Sequence, residues 1–164
     1  MEIDETVALR RKYGVGRIVE KNNVWLFGGV ERGNNGNCFI VPLEGQQRNA
    51  TTLLPLIQQH IRPGTEIHSD SWAAYNGISA LPEGYIHHKV NHKENFVAPQ
   101  TGAHTQMVEN QWRLVKEKFK RQSGVGRGTY DTYFPEFMWR KKFSDPNEVF
   151  FNFWSHVSHF YPCE

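Results

Sequence analysis

"TLLPLIQQHIRPGTEIHSDSWAAYN", residues 52–76, is the stretch whose reading decides the fold. Within 51–61, Leu53, Leu54, Ile57 and Ile61 recur at helical spacing and share one face. Pro55 is expected in the first turn of that helix, where a missing N–H costs little. Arg62-Pro63-Gly64-Thr65 stops it. "TEIHSD", 65–70, then reads as a strand that ends on a carboxylate, and "SWAAYNGI" reads as a short helix closed by Gly77. Two readings of Asp70 stand side by side. Asp and Ser ahead of a helix accept hydrogen bonds from its free N–H groups. A carboxylate at the end of a strand is also well placed to hold a metal ion. The two are compatible if Ser71 caps the short helix and leaves Asp70 to the metal, with Trp72 and Tyr75 as packing.

Working outward, "MEID" alternates like a strand, and residues 7–22 read as a polar, basic loop. "VWLFGGVER", 24–32, and "CFIVPL", 38–43, read as a hairpin around the turn signal "GNNGN". Gly28-Gly29 inside the first of these predicts a bulge or a close backbone approach. Downstream come a strand at 84–91, a loop at 92–104 and a strongly helical stretch over about 105–121. "YFPEFMWRKKF" (133–143) and "NEVFFNFWSHVSHF" (147–160) are two further apolar helices. Three strands followed by αβαβα predict an α/β protein, a mixed five-stranded sheet flanked by helices. That order matches the ribonuclease H-like fold, with extra C-terminal helices. All 164 residues are expected in one domain. Its core spans about residues 1–125 and a helical extension about 126–164.

The long helix has two characters. Val108, Trp112, Val115 and Phe119 form one apolar stripe that must face a core. Glu109 falls at the border of that stripe, roughly 90° from its middle. Lys116 returns to within about 20° of Glu109 after two turns, and Arg113 and Lys120 share that flank. A solvated face with weak ion pairs has this pattern, and so does a metal-ligating carboxylate beside cations that grip phosphates. Three acids then stand on the elements that the proposed fold gathers: Asp4 on the first strand, Asp70 ending the fourth, Glu109 on the long helix. Converging carboxylates suit hard Mg²⁺, with Mn²⁺ as a substitute, for phosphodiester chemistry.

"EIDET" (2–6), "WLFGGVERG" (25–33), "VNHKENFV" (90–97) and "GAHTQMVENQWRLVKEKFKR" (102–121), together with 52–76, resemble the catalytic domain of Merlin-type DDE DNA transposases. These are relatives of bacterial insertion-sequence transposases. The resemblance covers roughly residues 1–140. It implies that Asp4, Asp70 and Glu109 are the catalytic, metal-binding acids and Lys116 the basic residue after the third. It further implies metal-dependent cleavage and strand transfer of transposon ends and target DNA, by a homo-oligomer. The compartment would be the nucleus of a eukaryote, or otherwise the cytoplasm with its DNA. Relatives often carry Asn where this chain has Gln106. They usually carry an N-terminal DNA-binding region as well, which is expected to be absent ahead of Asp4. That departure keeps a second reading open, a domesticated or remnant non-catalytic DNA-binding module. A third is a ribonuclease H-type hydrolase.

Around the acids, Glu5 should point to the opposite strand face from Asp4. His68, two residues before Asp70, shares its face, and Asn91 and His92 end the fifth strand; all three are candidates for the surroundings of the site. Thr105 is placed to cap the long helix. A net charge of +2 does not by itself announce a nucleic-acid binder, so the clustering of Arg113, Lys116 and Lys120 matters more. Two cysteines cannot build a disulfide framework and suggest a reducing compartment. His156, His159 and Cys163 have metal-like spacing but lack a fourth ligand. The aromatics of 150–161 belong to a core or to an oligomer contact. Neither a Walker pattern nor a dinucleotide fingerprint is present, so no nucleotide cofactor is expected, and no apolar run approaches the length of a membrane span.

Overall fold

Alternating apolar and polar residues at the start of the chain build an antiparallel set of β1 (Glu2–Val7), β2 (Trp25–Val30) and β3 (Cys38–Pro42). The computed structural model describes residues 1–8, 25–33, 36–43, 45, 47–90, 104–121 and 130–162, without the side chains of 118, 121, 130 and 131. The expected loop at 7–22 lies mostly outside these residues, as do Asn91, His92 and the rest of the expected loop up to residue 103.

After the hairpin the chain forms α1 (Ala50–His60), β4 (Glu66–Asp70) and β5 (Ile86–Val90). β4 joins β1 in parallel, with Glu2 opposite His68, and β5 joins β4 in parallel. The five strands lie in the order β3-β2-β1-β4-β5. Three helices follow: α2 (Gln106–Arg121), α3 (Tyr130–Lys142) and α4 (Val149–Phe160). This is the α/β arrangement of the ribonuclease H-like fold, with β1 at the centre of a mixed sheet.

Because successive strand residues face opposite ways, the sheet has two cores. Ile3, Phe27 and Ile67 pack with Leu53 and Ile57 of α1 and with Tyr75 and Ile78. Leu26, Val30 and Ile40 pack on the other side with Val108, Trp112, Val115 and Phe119 of α2 and with Tyr133 and Phe134 of α3. The predicted α2 stripe is buried as a unit.

Two local expectations are corrected. Asn49 caps α1, its Oδ1 accepting from the N–H of Thr52 at 3.0 Å, so the helix starts at Ala50 and Pro55 lies beyond its first turn. The "SWAAYNGI" stretch forms two 3-10 turns, Ala73–Tyr75 and Ile78–Ala80, in place of one helix.

Candidate functional site

β1 turns Glu2, Asp4 and Thr6 toward α2, and each meets it about one helical turn further on. Glu2 Oε2 accepts from the backbone N–H of Met107 at 2.8 Å and of Val108 at 3.2 Å. Asp4 Oδ2 accepts from the Trp112 indole Nε1 at 3.1 Å. Thr6 Oγ1 accepts from Lys116 Nζ. The match is geometric. Two residues of strand advance about 6.6 Å and four residues of helix about 6 Å, so polar side chains at period two keep step with helix positions at period four. Gly28 pairs with Asp4 across β1 and β2. A Cβ at Gly28 would stand 2.6 Å from both the Trp112 ring and the Phe39 carbonyl oxygen. The close approach expected at this glycine is thus what lets the indole reach Asp4.

Glu2 is fully buried. A buried carboxylate is costly unless paired and hydrogen-bonded. Here the α2 N-terminus supplies two N–H groups and a favourable dipole, while Arg32 Nε lies 3.4 Å and His104 Nδ1 3.1 Å from Oε1. Glu2 thereby ties the first turn of α2, which carries Glu109, to the strand that carries Asp4.

β1 and β4 run parallel with Glu2 beside His68. Two residues further along each strand, Asp4 and Asp70 are therefore neighbours on one face. Burial is the main force on Asp4 and pushes its pKa up to about 7; the charges of Asp70 and Glu109 push the same way, against hydrogen bonds from the Glu5 backbone and Trp112. The three acids predicted to work together thus sense one another through Asp4. They do not form a closed ligand cage: among the described residues no group of three or more His, Cys, Asp or Glu side chains stands in metal-holding geometry. The reason is local. Glu109 Oε1 accepts from Thr105 Oγ1, one turn back on its own helix, at 3.0 Å. Asp70 Oδ1 accepts from the N–H of Trp72 at 3.0 Å. Asp70 thus closes a local turn just ahead of the Ala73–Tyr75 3-10 turn, which carries no side-chain cap, and the hydroxyl of Ser71, the expected cap, donates to the Val90 carbonyl at 3.1 Å instead.

The cations line an open groove of about 420 Å³ with Asp4, Thr6, Glu109 and Trp112. Lys116 is half-buried there, while Arg113 and Lys120 are exposed. Arg113 is tethered within the helix, by Nη2 to Asn110 Oδ1 at 2.9 Å and by Nη1 to Glu117 at 3.7 Å. Asp70 is not among the lining residues.

His68 does not join this groove. Its Nε2 lies 3.1 Å from Arg32 Nη1 and accepts from it, and its ring stacks on His88. Burial first, then the positive charge of Arg32, pushes its pKa down to about 4. His68 therefore belongs with Arg32 and Glu2 under the start of α2. Glu5 faces the α1 side as expected, accepting a hydrogen bond from the Tyr75 hydroxyl. Burial pushes its pKa up to about 7, with Asp4 and Asp70 adding to the rise and Arg48 opposing it. His156 Nδ1 accepts from Trp139 Nε1 at 3.0 Å, which makes it a packing residue between α3 and α4. Cys163 lies outside the described residues.

Glu2, Thr6 and Trp112 are the site residues that motif reasoning overlooked. The signal was present: polar residues at every second position of a strand otherwise deep in the sheet have to find partners.

Residues 2–142 match the ISXO2-like transposase domain. The chain belongs to this transposase family. The family is one of bacterial insertion-sequence transposases, which corrects the narrower likeness to the Merlin type. An "uncharacterized transposase-like protein" of Haemophilus influenzae is 22% identical over 103 residues, covering 63% of this chain and 80% of that protein. Transposases act as nucleotidyl transferases or nucleases on DNA, so the family places this chain with that kind of enzyme. α4 lies beyond the matched residues.

Proposed function

We propose that this transposase domain cleaves and joins DNA strands with divalent metal ions, and that Asp4, Asp70 and Glu109 are its catalytic acids. The observation that carries the reading is the Asp4 carboxyl. Its pKa stands near 7 because it is buried and faces two further carboxylates. Such a concentration of negative charge at the centre of a sheet is unfavourable without a cation. The donors are all hard oxygens, which fits Mg²⁺ or Mn²⁺. When bound, such an ion lowers the pKa of an attacking water or hydroxyl and stabilises the leaving oxygen. The chain's own residues do the rest. Glu2 and Trp112 hold strand and helix in register. Arg113, Lys116 and Lys120 offer charge to the phosphate backbone, contacts that weaken with salt and carry no base sequence. Glu109 has to exchange its Thr105 partner for the metal, a side-chain rotation within the first turn of α2.

The test is nicking of supercoiled plasmid by the purified chain in Mg²⁺ or Mn²⁺. Asp70→Ala should lower the rate by roughly 10³-fold, since several kcal/mol of transition-state stabilisation depend on the ion. Equal rates for wild type and variant would sink the enzymatic reading. The inward turn of Glu109 onto Thr105 favours one alternative, a DNA-binding module without catalysis. It predicts salt-dependent DNA binding with no metal-dependent nicking by either protein. Preferential cutting of an RNA–DNA hybrid would point to a ribonuclease H-type hydrolase instead.

A further inference from the structure

We propose that α4, together with the groove it forms against α3, is a self-association surface that docks a second copy of this chain. The claim is independent of the catalytic reading. Phe150, Phe151, Phe153, Trp154, Phe160 and Tyr161 are each between 49% and 77% exposed, and α4 has no buried residue among those described. At 100° per residue the apolar arc of α4 runs from Val149 through Phe153, Val157 and Phe150 to Phe151, about 200° in all, twice the stripe that one packing neighbour needs. α3 covers only the first part of it. Trp139 meets Phe153 edge-on at 6.2 Å between ring centroids, and Phe143 meets His156 at 4.9 Å. Among the described residues the rest of the arc has no ring contact with α3.

Several observations favour a second copy over other occupants. Aromatic side chains present about 150–250 Å² each, so six at these exposures offer roughly 800 Å², the area per partner of a standard stable interface. Residues 149–162 contain no Lys, Arg, Asp or Glu. That argues against a phosphate backbone, which needs cations. It also argues against a membrane surface, where a helix carries Lys or Arg on its polar face. Aromatic enrichment with loss of charge is the composition of an interface centre. The surface is self-complementary as well. Protruding Phe150, Phe151 and Trp154 stand on the same helix as an apolar groove of about 490 Å³, lined by Trp139, Phe153, Val157 and Phe160. The groove rim carries both signs, Arg140 and Glu136, paired at 2.7 Å. A two-fold axis across antiparallel α4 helices sets the rings of each copy into the groove of the other and brings opposite charges together on both rims.

The test is sedimentation of the full chain, at concentrations from nanomolar to tens of micromolar. Wild type should be a dimer at micromolar concentration. Phe150→Glu and Phe151→Glu should each weaken association by at least about 100-fold, because a carboxylate would be buried unpaired. Both positions are exposed in the single chain, so an unchanged far-UV circular dichroism spectrum should accompany the loss. His159→Glu, in the middle of the opposite arc, should leave the dimer intact. Three results would overturn the proposal: a wild-type monomer at tens of micromolar, equal weakening by His159→Glu, or binding of the monomer to neutral phosphatidylcholine vesicles through α4.

Discussion

α2 and α4 are both apolar-striped helices, yet they end in opposite situations. α2 has charges on most of its circumference and buries its whole stripe of Val108, Trp112, Val115 and Phe119. α4 has an apolar arc roughly three times as wide, no charge, and no buried residue among those described. The difference lies in what faces them. α2 runs along a sheet whose central strand offers polar groups in step with its turns, so stripe and flank are both satisfied. α4 meets only one side of α3. Apolar content supplies a driving force, but a face complementary in shape and in hydrogen bonding decides whether it is spent within the chain.

The sharpest way to break this contrast is Trp112→Ala. It removes a large buried side chain from the α2 stripe and the indole donor from Asp4, and should cost about 3–5 kcal/mol in urea unfolding. A loss below about 1 kcal/mol would mean that α2 is not held by its stripe.

A smaller effect comes from pH. Asp4 and Glu5 have folded-state pKa values raised to about 7, above the ordinary carboxylate range. The stability they contribute is therefore complete below pH about 4 and is lost as pH rises toward and through 7. Thermal unfolding in metal-free buffer should show the melting temperature falling from pH 5 to pH 8 once other titrations are subtracted with the Asp4→Asn variant. That variant should be more stable than wild type at pH 8, by about 1 kcal/mol, and inactive, the usual trade at a functional site. A wild-type melting temperature no lower relative to Asp4→Asn at pH 8 than at pH 5 would contradict the crowding of carboxylates at Asp4.

The smallest effect belongs to α4. Phe151→Ala should change the stability of the dilute, unassociated chain by less than about 0.5 kcal/mol, as expected for a surface position. A cost of several kcal/mol would place Phe151 in a core and erase the contrast with α2.

Much of this was legible in the chain. Period-two alternation marked the first hairpin, helical spacing marked α1 and α2, and turn residues separated them, because these patterns follow from local geometry. The flank of Glu109, Arg113, Lys116 and Lys120 was legible for the same reason, and these residues do line one groove with Asp4. Partners were less legible. Lys116 lines the groove as its flank suggests, but no local pattern records that its Nζ also donates to Thr6, 110 residues away. His68 shares a strand face with Asp70, but the face extends far enough for Arg32 and His88 to claim it. α1 starts at Ala50 behind the Asn49 cap, one residue before the expected start, so what the sequence misread was the place of Pro55, which lies beyond the first turn.

By itself, then, the sequence determined which residues share a face: Glu2, Asp4 and Thr6 by strand alternation, Glu109 and Lys116 by helical period, the α4 aromatics by a wide apolar arc. Those relations depend on backbone geometry over a few residues. Only the tertiary structure decided which faces meet. Setting β1 parallel to β4 placed Asp4 beside Asp70. Laying α2 along β1 made a buried Glu2 tolerable and put Trp112 against Gly28. The orientation of α3 left α4 half covered. Such choices depend on contacts between residues dozens of positions apart, where packing and hydrogen-bond satisfaction act across the whole sheet and no local pattern records them.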